Sequence, residues 1–342
     1  MRKRATIKDV AALAGVSLKT VSRVINREAG VSPAMADRVQ RAVVQLDYRH
    51  NLAASNLRRG HRTASIGVLL HDIGNSFSAT LLRAVEDRAR PRGIAVFSAS
   101  LDDEAEREAL LATDLVSRRV DGLILMPTSP SQGYLVSDVL AGLAVVAVDR
   151  PVTGADVDTV VVDNLDGAAA ATRYLAGHGH ERIALLTDLS SIWTAAQRHE
   201  GYLRGLAASR VPLDAELVVT DVRTSEEATA VVHRLLALAD PPTAIFAARN
   251  NLAIGTVRAL RQLNLADTVA LVAFDDFPMA DLVTPAITVV QQDITEVGRV
   301  AAELLFAQLD GEGGPPQKVV LPTTLVPRGS GEIPPQSFAD AG

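Results

Sequence analysis

The apolar positions in IKDVAALAGVSLKTVSRVIN, residues 7–26, recur at helical spacing in two short runs with a break between them. Gly15 lies at the break and favours the left-handed conformation of a helix C-cap. Ser17 is a good N-cap for the second run, and Thr6 with Asp9 resembles a capping box before the first. Two short helices that meet at a sharp angle explain this pattern, whereas one long helix does not.

A third helical run begins in SPAMADRVQRAVVQLDY, with Ser32 as its expected cap and a proline at the first helical position. The three runs predict an all-α helix-turn-helix domain over residues 1–48, called the head below. In such a motif the second helix enters the major groove of DNA. Arg23 can donate to guanine, Lys19 to a neighbouring base or phosphate, and Leu18 can contact a thymine methyl group. The alternative is that the two cations only solvate a surface helix.

After residue 62, short β-branched runs alternate with longer helical patterns: SATLLRAVEDRAR, EREALLATDLVSRR, DGAAAATRYLAGHG and AAELLFAQLD. This alternation predicts an α/β fold with parallel sheets covered by helices on both faces, and its length suits two lobes with a cleft between them. The predicted strands are 65–70, 94–98, 121–126, 144–148, 159–162, 182–187, 217–220, 244–247, 269–273 and 287–290.

Charge is divided unevenly along the 342 residues, whose net charge is −6. Residues 1–62 contain 13 Lys and Arg and 4 Asp and Glu, whereas the remaining residues contain 21 and 36. A basic head on an acidic body indicates a polyanionic partner for the head alone.

The composition also limits the compartment and the chemistry. The chain has no cysteine, so disulfides and thiol catalysis are excluded. We find no secretory signal and no apolar run long enough to cross a bilayer, so we expect a cytoplasmic protein without a membrane partner.

Motifs of enzyme and metal chemistry are missing from the sequence. His178 and His180 in GHGHERI have no third ligand at metal-binding spacing, so we predict no metal site. No P-loop, G-x-S-x-G or G-x-G-x-x-G follows a strand, so we predict neither an enzyme nor a cofactor. A DNA-binding regulator explains the whole chain, and the alternatives are a solute-binding module without a DNA role and a corepressor-dependent regulator.

Sequence blocks from residue 6 to about residue 330 resemble the LacI/GalR (lactose-repressor) family of transcription factors. In the head these blocks are TIKDVAALAGVS, TVSRVIN and VSPAMADRVQRAVVQLDY. In the body they include VVVDNLDGAAAATRYLAGHGHERIALLTD, QRHEGYLRGL, VAFDDFPMADLVTPAITVVQQD and VVLPTTLVPRGS. The resemblance implies a body like that of periplasmic sugar-binding proteins, with two Rossmann-like lobes joined by three crossovers.

The resemblance implies that residues 49–62 are a hinge that becomes helical on DNA and inserts Leu57 into the minor groove. The family usually has proline where this chain has His50. The DNA-binding residues that pattern and resemblance predict are Thr6, Ser17, Leu18, Lys19, Thr20, Ser22, Arg23, Asn26, Asn51, Ala54 and Leu57.

The resemblance also implies that residues 63–330 bind an effector and form a homodimer, with a tail at 331–342. The lobes are expected at roughly 63–161 with 291–330, mixed by crossovers, and at 162–290. Ligands of open α/β sheets bind beyond the carboxyl ends of the strands. The candidate effector-binding residues there are Phe77, Asp149, Arg150, Trp193, Arg198, Arg249, Asn250, Asp276 and Gln292.

Three choices remain open at this point. Trp193 is either an apolar wall of the pocket or a core anchor. Arg249-Asn250 stands where the family often has Asn-Asp, and three arginines near one cleft favour an anionic sugar derivative, although a neutral sugar with Arg249 turned outward fits equally well. The third is the sign of the ligand response, since most of the family are repressors released by an inducer but some require a corepressor. We expect a repressor that binds a palindromic operator, because one head contacts only a half-site.

Overall fold

The structure is a computed structural model that describes residues 5–25, 29–48 and 63–336. The chain divides into two units, residues 1–63 and residues 64–342. The first unit contains the head helices α1 (Ile7–Ala14), α2 (Leu18–Ile25) and α3 (Pro33–Gln45). One valine from each helix is fully buried in a shared core: Val10, Val21 and Val39.

The ends of the head helices follow the predicted capping signals. The backbone N–H and the hydroxyl of Thr6 both donate to Asp9 Oδ2 at 2.7 Å. Gly15 has the left-handed conformation with φ 61°, and Ser17 Oγ accepts from the Thr20 N–H at 3.1 Å. Ser32 precedes α3 as predicted, but its side chain makes no capping hydrogen bond.

Arg38 in α3 holds the turn between the first two helices. Its Nε donates to the Ala14 carbonyl at 3.0 Å and its Nη2 to the Gly15 carbonyl at 2.8 Å. These carbonyls lie at a helix C-terminus, where they lack partners inside the helix. The angle between α1 and α2 is therefore supported by the third helix.

The body contains two six-stranded sheets with helices on both faces. The first sheet has the order β11-β5-β4-β3-β1-β2 and defines lobe 1, and the second has the order β12-β10-β9-β8-β6-β7 and defines lobe 2. All pairings are parallel except β10 with β12. The strands are β1 (Ser65–Leu70), β2 (Ala95–Ser100), β3 (Gly122–Leu125), β4 (Ala144–Val148), β5 (Asp158–Val162), β6 (Ile183–Leu186), β7 (Val218–Val219), β8 (Ala244–Ala247), β9 (Ala270–Phe274), β10 (Thr288–Gln292), β11 (Lys318–Leu321) and β12 (Thr323–Val326).

The body helices pack on these sheets because alternate strand residues enter opposite cores. In β1, Val68 belongs to one core and Leu69 to the core on the other face. The helices are α4 (Ser76–Ala89), α5 (Ala105–Ser117), α6 (Val136–Leu140), α7 (Asn164–Gly177), α8 (Trp193–Ser209), α9 (Ser225–Leu236), α10 (Asn250–Gln262) and α11 (Ile294–Asp310). Among all helices of the described residues, none is long and apolar enough to cross a membrane.

Between residues 63 and 336 the chain passes from one lobe to the other three times, as the resemblance implied. The passages lie at Asp163, between β5 and α7; at Asp293, between β10 and α11; and at Pro322, between β11 and β12. Both aspartates cap the helix that follows, since Asp163 Oδ1 accepts from the Asp166 N–H at 3.1 Å and Asp293 Oδ1 from the Glu296 N–H at 2.9 Å.

The predicted strands of the body overlap β1 to β10, whereas β11 and β12 were not predicted. Each of these two strands has four residues, and Pro322 separates them. They lie at the edges of their sheets and are only partly buried, so their sequence lacks a long apolar run. The segment 291–330 was expected to be mixed by crossovers, and it does contain one, since β11 belongs to lobe 1 and β12 to lobe 2.

Two glycines bring α8 close to α7. A Cβ atom at Gly201 would lie 2.3 Å from the Leu165 carbonyl oxygen, and one at Gly205 would lie 2.5 Å from Thr172 Cβ. Only glycine allows the two backbones to approach so closely. This contact positions the first turns of α8 next to the start of α7.

His180 is a core residue rather than part of a ligand set. Its ring is fully buried, with Nδ1 2.9 Å from Thr243 Oγ1 and Nε2 2.8 Å from the Ile333 carbonyl. Burial lowers the pKa of His180. Its contact with Ile333 ties the last described segment to lobe 2.

Candidate ligand cleft and DNA-contacting helix

A cavity of about 50 Å³ lies between the two lobes of the body. Its lining follows the carboxyl ends of β1, β3, β4, β6, β8 and β9, where open α/β sheets bind ligands. Of the predicted effector residues, those that line it are Phe77, Asp149, Arg150, Arg198, Arg249 and Asn250. Trp193, Asp276 and Gln292 are not among its lining residues.

Arg198 is held rigidly in the wall of the cavity. Its Nε donates to Asn164 Oδ1 at 2.8 Å, and its Nη1 donates to the Ala248 carbonyl at 2.8 Å and to Asp275 Oδ2 at 3.2 Å. Its guanidinium carbon lies 3.8 Å from the centre of the Phe274 ring. The buried guanidinium thus has fixed directions for further hydrogen bonds.

Asp275, not Asp276, is the carboxylate of the FDD motif that lines the cavity. Asp275 has φ 71°, which turns the chain directly after β9. Asp276 points to Arg328, whose Nη1 and Nη2 donate to its two oxygens at 2.9 and 2.6 Å. Asp275, and not Asp276, is therefore the candidate effector-binding residue of this motif.

Asp149 and Arg150 follow β4 and are both buried. Burial raises the pKa of Asp149, although Arg150 and Arg198 act in the opposite direction. Arg150 Nη1 donates to Asp103 Oδ1 at 3.1 Å and to the Pro127 carbonyl at 3.2 Å. This arginine is therefore paired inside lobe 1 rather than with a surface partner.

Asp103 is a buried carboxylate behind the cavity. Burial acts to raise its pKa, but the contacts with His71 and Arg150 outweigh burial and hold this pKa well below its ordinary value. Asp103 consequently carries a negative charge opposite Arg150.

Arg249 points into the cavity. Its Nη1 donates to Asp188 Oδ2 and its Nη2 lies in hydrogen-bond contact with His71 Nε2. The interpretation with Arg249 turned outward is therefore wrong. The family often has an aspartate at the position of Asn250, and in this chain Asp188 places a carboxylate next to Arg249 instead.

Trp193 and Gln292 lie beside the cavity. Trp193 begins α8 in lobe 2, and the Nζ of Lys318 from lobe 1 lies 5.3 Å from the centre of its ring. Gln292 is buried at the end of β10, and its Nε2 donates to Asp275 Oδ1. Gln292 thus positions Asp275 instead of lining the cavity.

Six polar residues of the lining are absent from the predicted effector set: His71, Asn75, Ser78, Asp188, Thr194 and Asp275. His71, Asp188 and Asp275 follow β1, β6 and β9 within two residues, so the strand-end rule applied to every polar residue would have found them. Asn75 has the additional signature of a helix N-cap, and its Oδ1 accepts from the Phe77 N–H at 3.0 Å.

The head presents the predicted contact residues on α2. The side chain of Leu18 is 46% exposed, although it is large and apolar, and Lys19 is also exposed. The hydroxyls of Ser17 and Thr20 lie 2.9 Å apart, while Ser22 and Arg23 are half-buried. Thr6 caps α1.

Part of the predicted DNA surface lies outside the described residues. This part comprises the hinge at 49–62 and the residues Asn26, His50, Asn51, Ala54 and Leu57. Their roles stay predictions.

The chain matches two family descriptions. Residues 6–51 match bacterial regulatory proteins of the lacI family, and residues 172–331 match a periplasmic binding protein-like domain. The chain is 35% identical over 335 residues to the HTH-type transcriptional regulator PtxS of Pseudomonas aeruginosa, with 96% of each chain covered. It is 30% identical over 329 residues to the ribose operon repressor of Escherichia coli K12, with 95% and 99% covered.

Solved structures agree with these matches. The complex of the transcriptional regulator CelR with cellobiose has a TM-score of 0.70 and 31% identity, and covers 96% of this chain and 100% of that chain. The Lac repressor dimer bound to operator has a TM-score of 0.82 and 24% identity, and covers 96% and 99%; it supports the fold. Through similarity over nearly its full length, the chain belongs to the LacI family of bacterial DNA-binding transcriptional regulators, which are not enzymes.

Proposed function

We propose that this protein is a repressor that binds a palindromic operator as a homodimer and releases it when a small carbohydrate-like ligand enters the cleft. The observation that carries the proposal is the wall of the cavity, where buried arginines and aspartates present directed donors and acceptors at strand ends. Hydroxyl groups need such partners when they leave water. Ribose operon repressors and a cellobiose complex among the relatives support a sugar-like ligand.

The charge balance of the cleft favours a neutral ligand over an anion. Each of the three cleft arginines contacts a carboxylate: Arg150 contacts Asp103, Arg198 contacts Asp275 and Arg249 contacts Asp188. Asp149 is a further carboxyl group of the lining, and its Oδ2 lies 3.4 Å from Arg150 Nε. An anion would therefore meet no uncompensated cation here, so we prefer a neutral polyhydroxylated ligand to a sugar acid or sugar phosphate.

Matched pairs of neutral sugars and their acids test this preference. We expect a neutral sugar, but not the corresponding uronic or aldonic acid, to change the fluorescence of Trp193 and to release bound DNA. Trp193 is the single tryptophan of the chain and precedes the cleft residue Thr194, so its emission reports on this region. Stronger binding of the acids than of the neutral sugars would overturn the preference.

Large apolar side chains remain exposed on both lobes and are candidate positions for the homodimer interface. Phe97 and Leu110 in lobe 1 are 50% and 70% exposed, and Met279 and Leu282 in lobe 2 are 64% and 73% exposed. Apolar side chains of this size favour a protein interface when they cluster on a surface. A palindromic operator in turn requires two heads related by twofold symmetry.

Selection of bound duplexes from a random DNA pool at near-physiological salt tests the whole proposal. We expect a palindrome with half-sites about one helical turn apart, around a flexible pyrimidine–purine step. Enrichment only in the presence of a metabolite mixture would mean that the ligand acts as a corepressor and not as an inducer. No enrichment in either condition would leave a ligand-binding module without a DNA role.

A further inference from the structure

We propose that the chain of side chains Asp103–His71–Arg249–Asp188 is a latch that holds the two lobes closed when no ligand is bound. His71 and Asp103 follow β1 and β2 of lobe 1, whereas Asp188 and Arg249 follow β6 and β8 of lobe 2. The contact between His71 and Arg249 is thus the one in this series of side chains that joins lobe 1 to lobe 2.

Both ends of the latch are fixed within their own lobe. The side chain of Asp103 is 4% exposed, and its two oxygens face His71 Nδ1 at 2.9 Å and Arg150 Nη1 at 3.1 Å. The side chain of Asp188 is 8% exposed, and its Oδ1 accepts from the Leu189 N–H at 2.8 Å. Each end therefore holds the residue that reaches the other lobe: Asp103 holds His71, and Asp188 holds Arg249.

The contacts of His71 determine which group donates and which accepts in the hydrogen bond between the lobes. The Arg249 guanidinium has only donors, so His71 Nε2 accepts at this contact and the ring hydrogen belongs on Nδ1, which lies 2.9 Å from Asp103 Oδ2. The contact between the lobes is consequently a charge-assisted hydrogen bond, which is stronger than a neutral one.

A second tie lies beside the first. Asn250 Nδ2 donates to Asn75 Oδ1 at 3.0 Å, and Asn75 Nδ2 donates to Asn250 Oδ1 at 3.2 Å. Asn75 belongs to lobe 1 and Asn250 to lobe 2, so this reciprocal amide pair also joins the lobes.

The residues of both interlobe contacts belong to the wall of one cavity. His71, Asn75, Arg249 and Asn250 all line it, so a ligand that binds between the lobes competes for their polar groups. Occupation of the cavity is therefore expected to separate the His71–Arg249 and Asn75–Asn250 contacts and to open the lobes. The effect of this opening on operator release rests on the function proposed above, but the closed state is measured without ligand or DNA.

Spin labels on the two lobes measure the closed state directly. The chain has no cysteine, so the exposed pair Ser131→Cys in lobe 1 and Ser190→Cys in lobe 2 receives labels at these positions only. We combine this pair with His71→Phe, which keeps a ring but removes the acceptor, and with Asn75→Ser, which keeps a helix cap but is too short to reach Asn250. The distance between the labels is read by double electron–electron resonance.

The labelled protein with an unaltered latch should give one short distance between the two spin labels when no ligand is present. The variant with both His71→Phe and Asn75→Ser should move most molecules to longer distances, because loss of a hydrogen bond to a charged group shifts a two-state ratio by about tenfold or more. His71→Gln, which retains an acceptor, should stay closed. His233→Phe is the matched control, since His233 contacts Gln262 and does not line the cleft.

Two outcomes would overturn the latch: a short distance that persists in the double variant, or a long distance in the protein with an intact latch. Neither outcome bears on DNA binding, which the duplex selection measures separately. Thermal unfolding of each labelled variant establishes that it is folded before the distance is compared.

Discussion

Replacement of Arg198 by alanine is expected to abolish ligand-induced release of operator DNA, while the ligand-free protein retains its operator affinity. The guanidinium joins Asn164, Ala248 and Asp275 from three separate elements of the cavity wall. Loss of a hydrogen bond from a charged group costs about 1.5–3 kcal/mol, so ligand affinity should fall by about tenfold or more. Titration of the protein–operator complex with ligand, monitored by fluorescence anisotropy, measures both quantities.

Arg204→Ala is the matched control for this prediction. Arg204 lies on the same helix, but its side chain is 59% exposed and pairs only with Glu200, so its removal should leave the response unchanged. Arg198→Ala leaves Asp275 buried without its cation, and the double variant with Asp275→Asn removes that unpaired charge. A normal response at the usual ligand concentration in Arg198→Ala would exclude this arginine from the binding site.

Replacement of Arg23 by alanine is expected to reduce specific operator binding strongly and nonspecific DNA binding only slightly. A bidentate contact to guanine is worth about 1–3 kcal/mol, and a homodimer carries it twice, which gives about 2–6 kcal/mol in total. Binding to the selected operator should therefore weaken by about 30-fold or more. Because base contacts release few counterions, the dependence of affinity on salt should hardly change.

Arg41→Ala is the control for the head. Arg41 is exposed on α3, and its Nε donates to the Asp37 carbonyl at 3.3 Å within the same helix. We expect it to retain operator specificity. If Arg23→Ala instead weakened all DNA equally and lowered the salt dependence, Arg23 would be a phosphate contact and not a base contact.

Local signals were sufficient to predict the head and the order of most body elements. Gly15 and the Thr6–Asp9 box mark helix ends because they act on backbone groups within three or four residues. Runs of β-branched and apolar residues predicted β1 to β10, and the strands inside the sheets, such as β3, β4 and β9, are apolar throughout because both of their faces are buried. The short edge strands β11 and β12 lack this requirement, and they were missed.

The composition of the cleft was only partly predictable. The strand-end rule located Arg150 and Arg249, since the topology of a parallel sheet brings strand ends together, whereas Arg198 lies within α8 and was predicted from the family resemblance. It did not distinguish Asp275 from Asp276, because the choice depends on the turn after β9 and on Arg328, which lies 52 residues further along the chain.

By itself, the sequence determined which segments form helices and strands, that the head is basic, and which family the chain resembles, because these depend on local periodicity, capping and composition. Only the tertiary structure decided the pairing of the cleft charges. Arg249 contacts Asp188 across 61 residues and His71 across 178, and no local pattern records such contacts. Their partners are chosen by sheet order and by the cost of burying an uncompensated charge, both of which exist only in the folded chain.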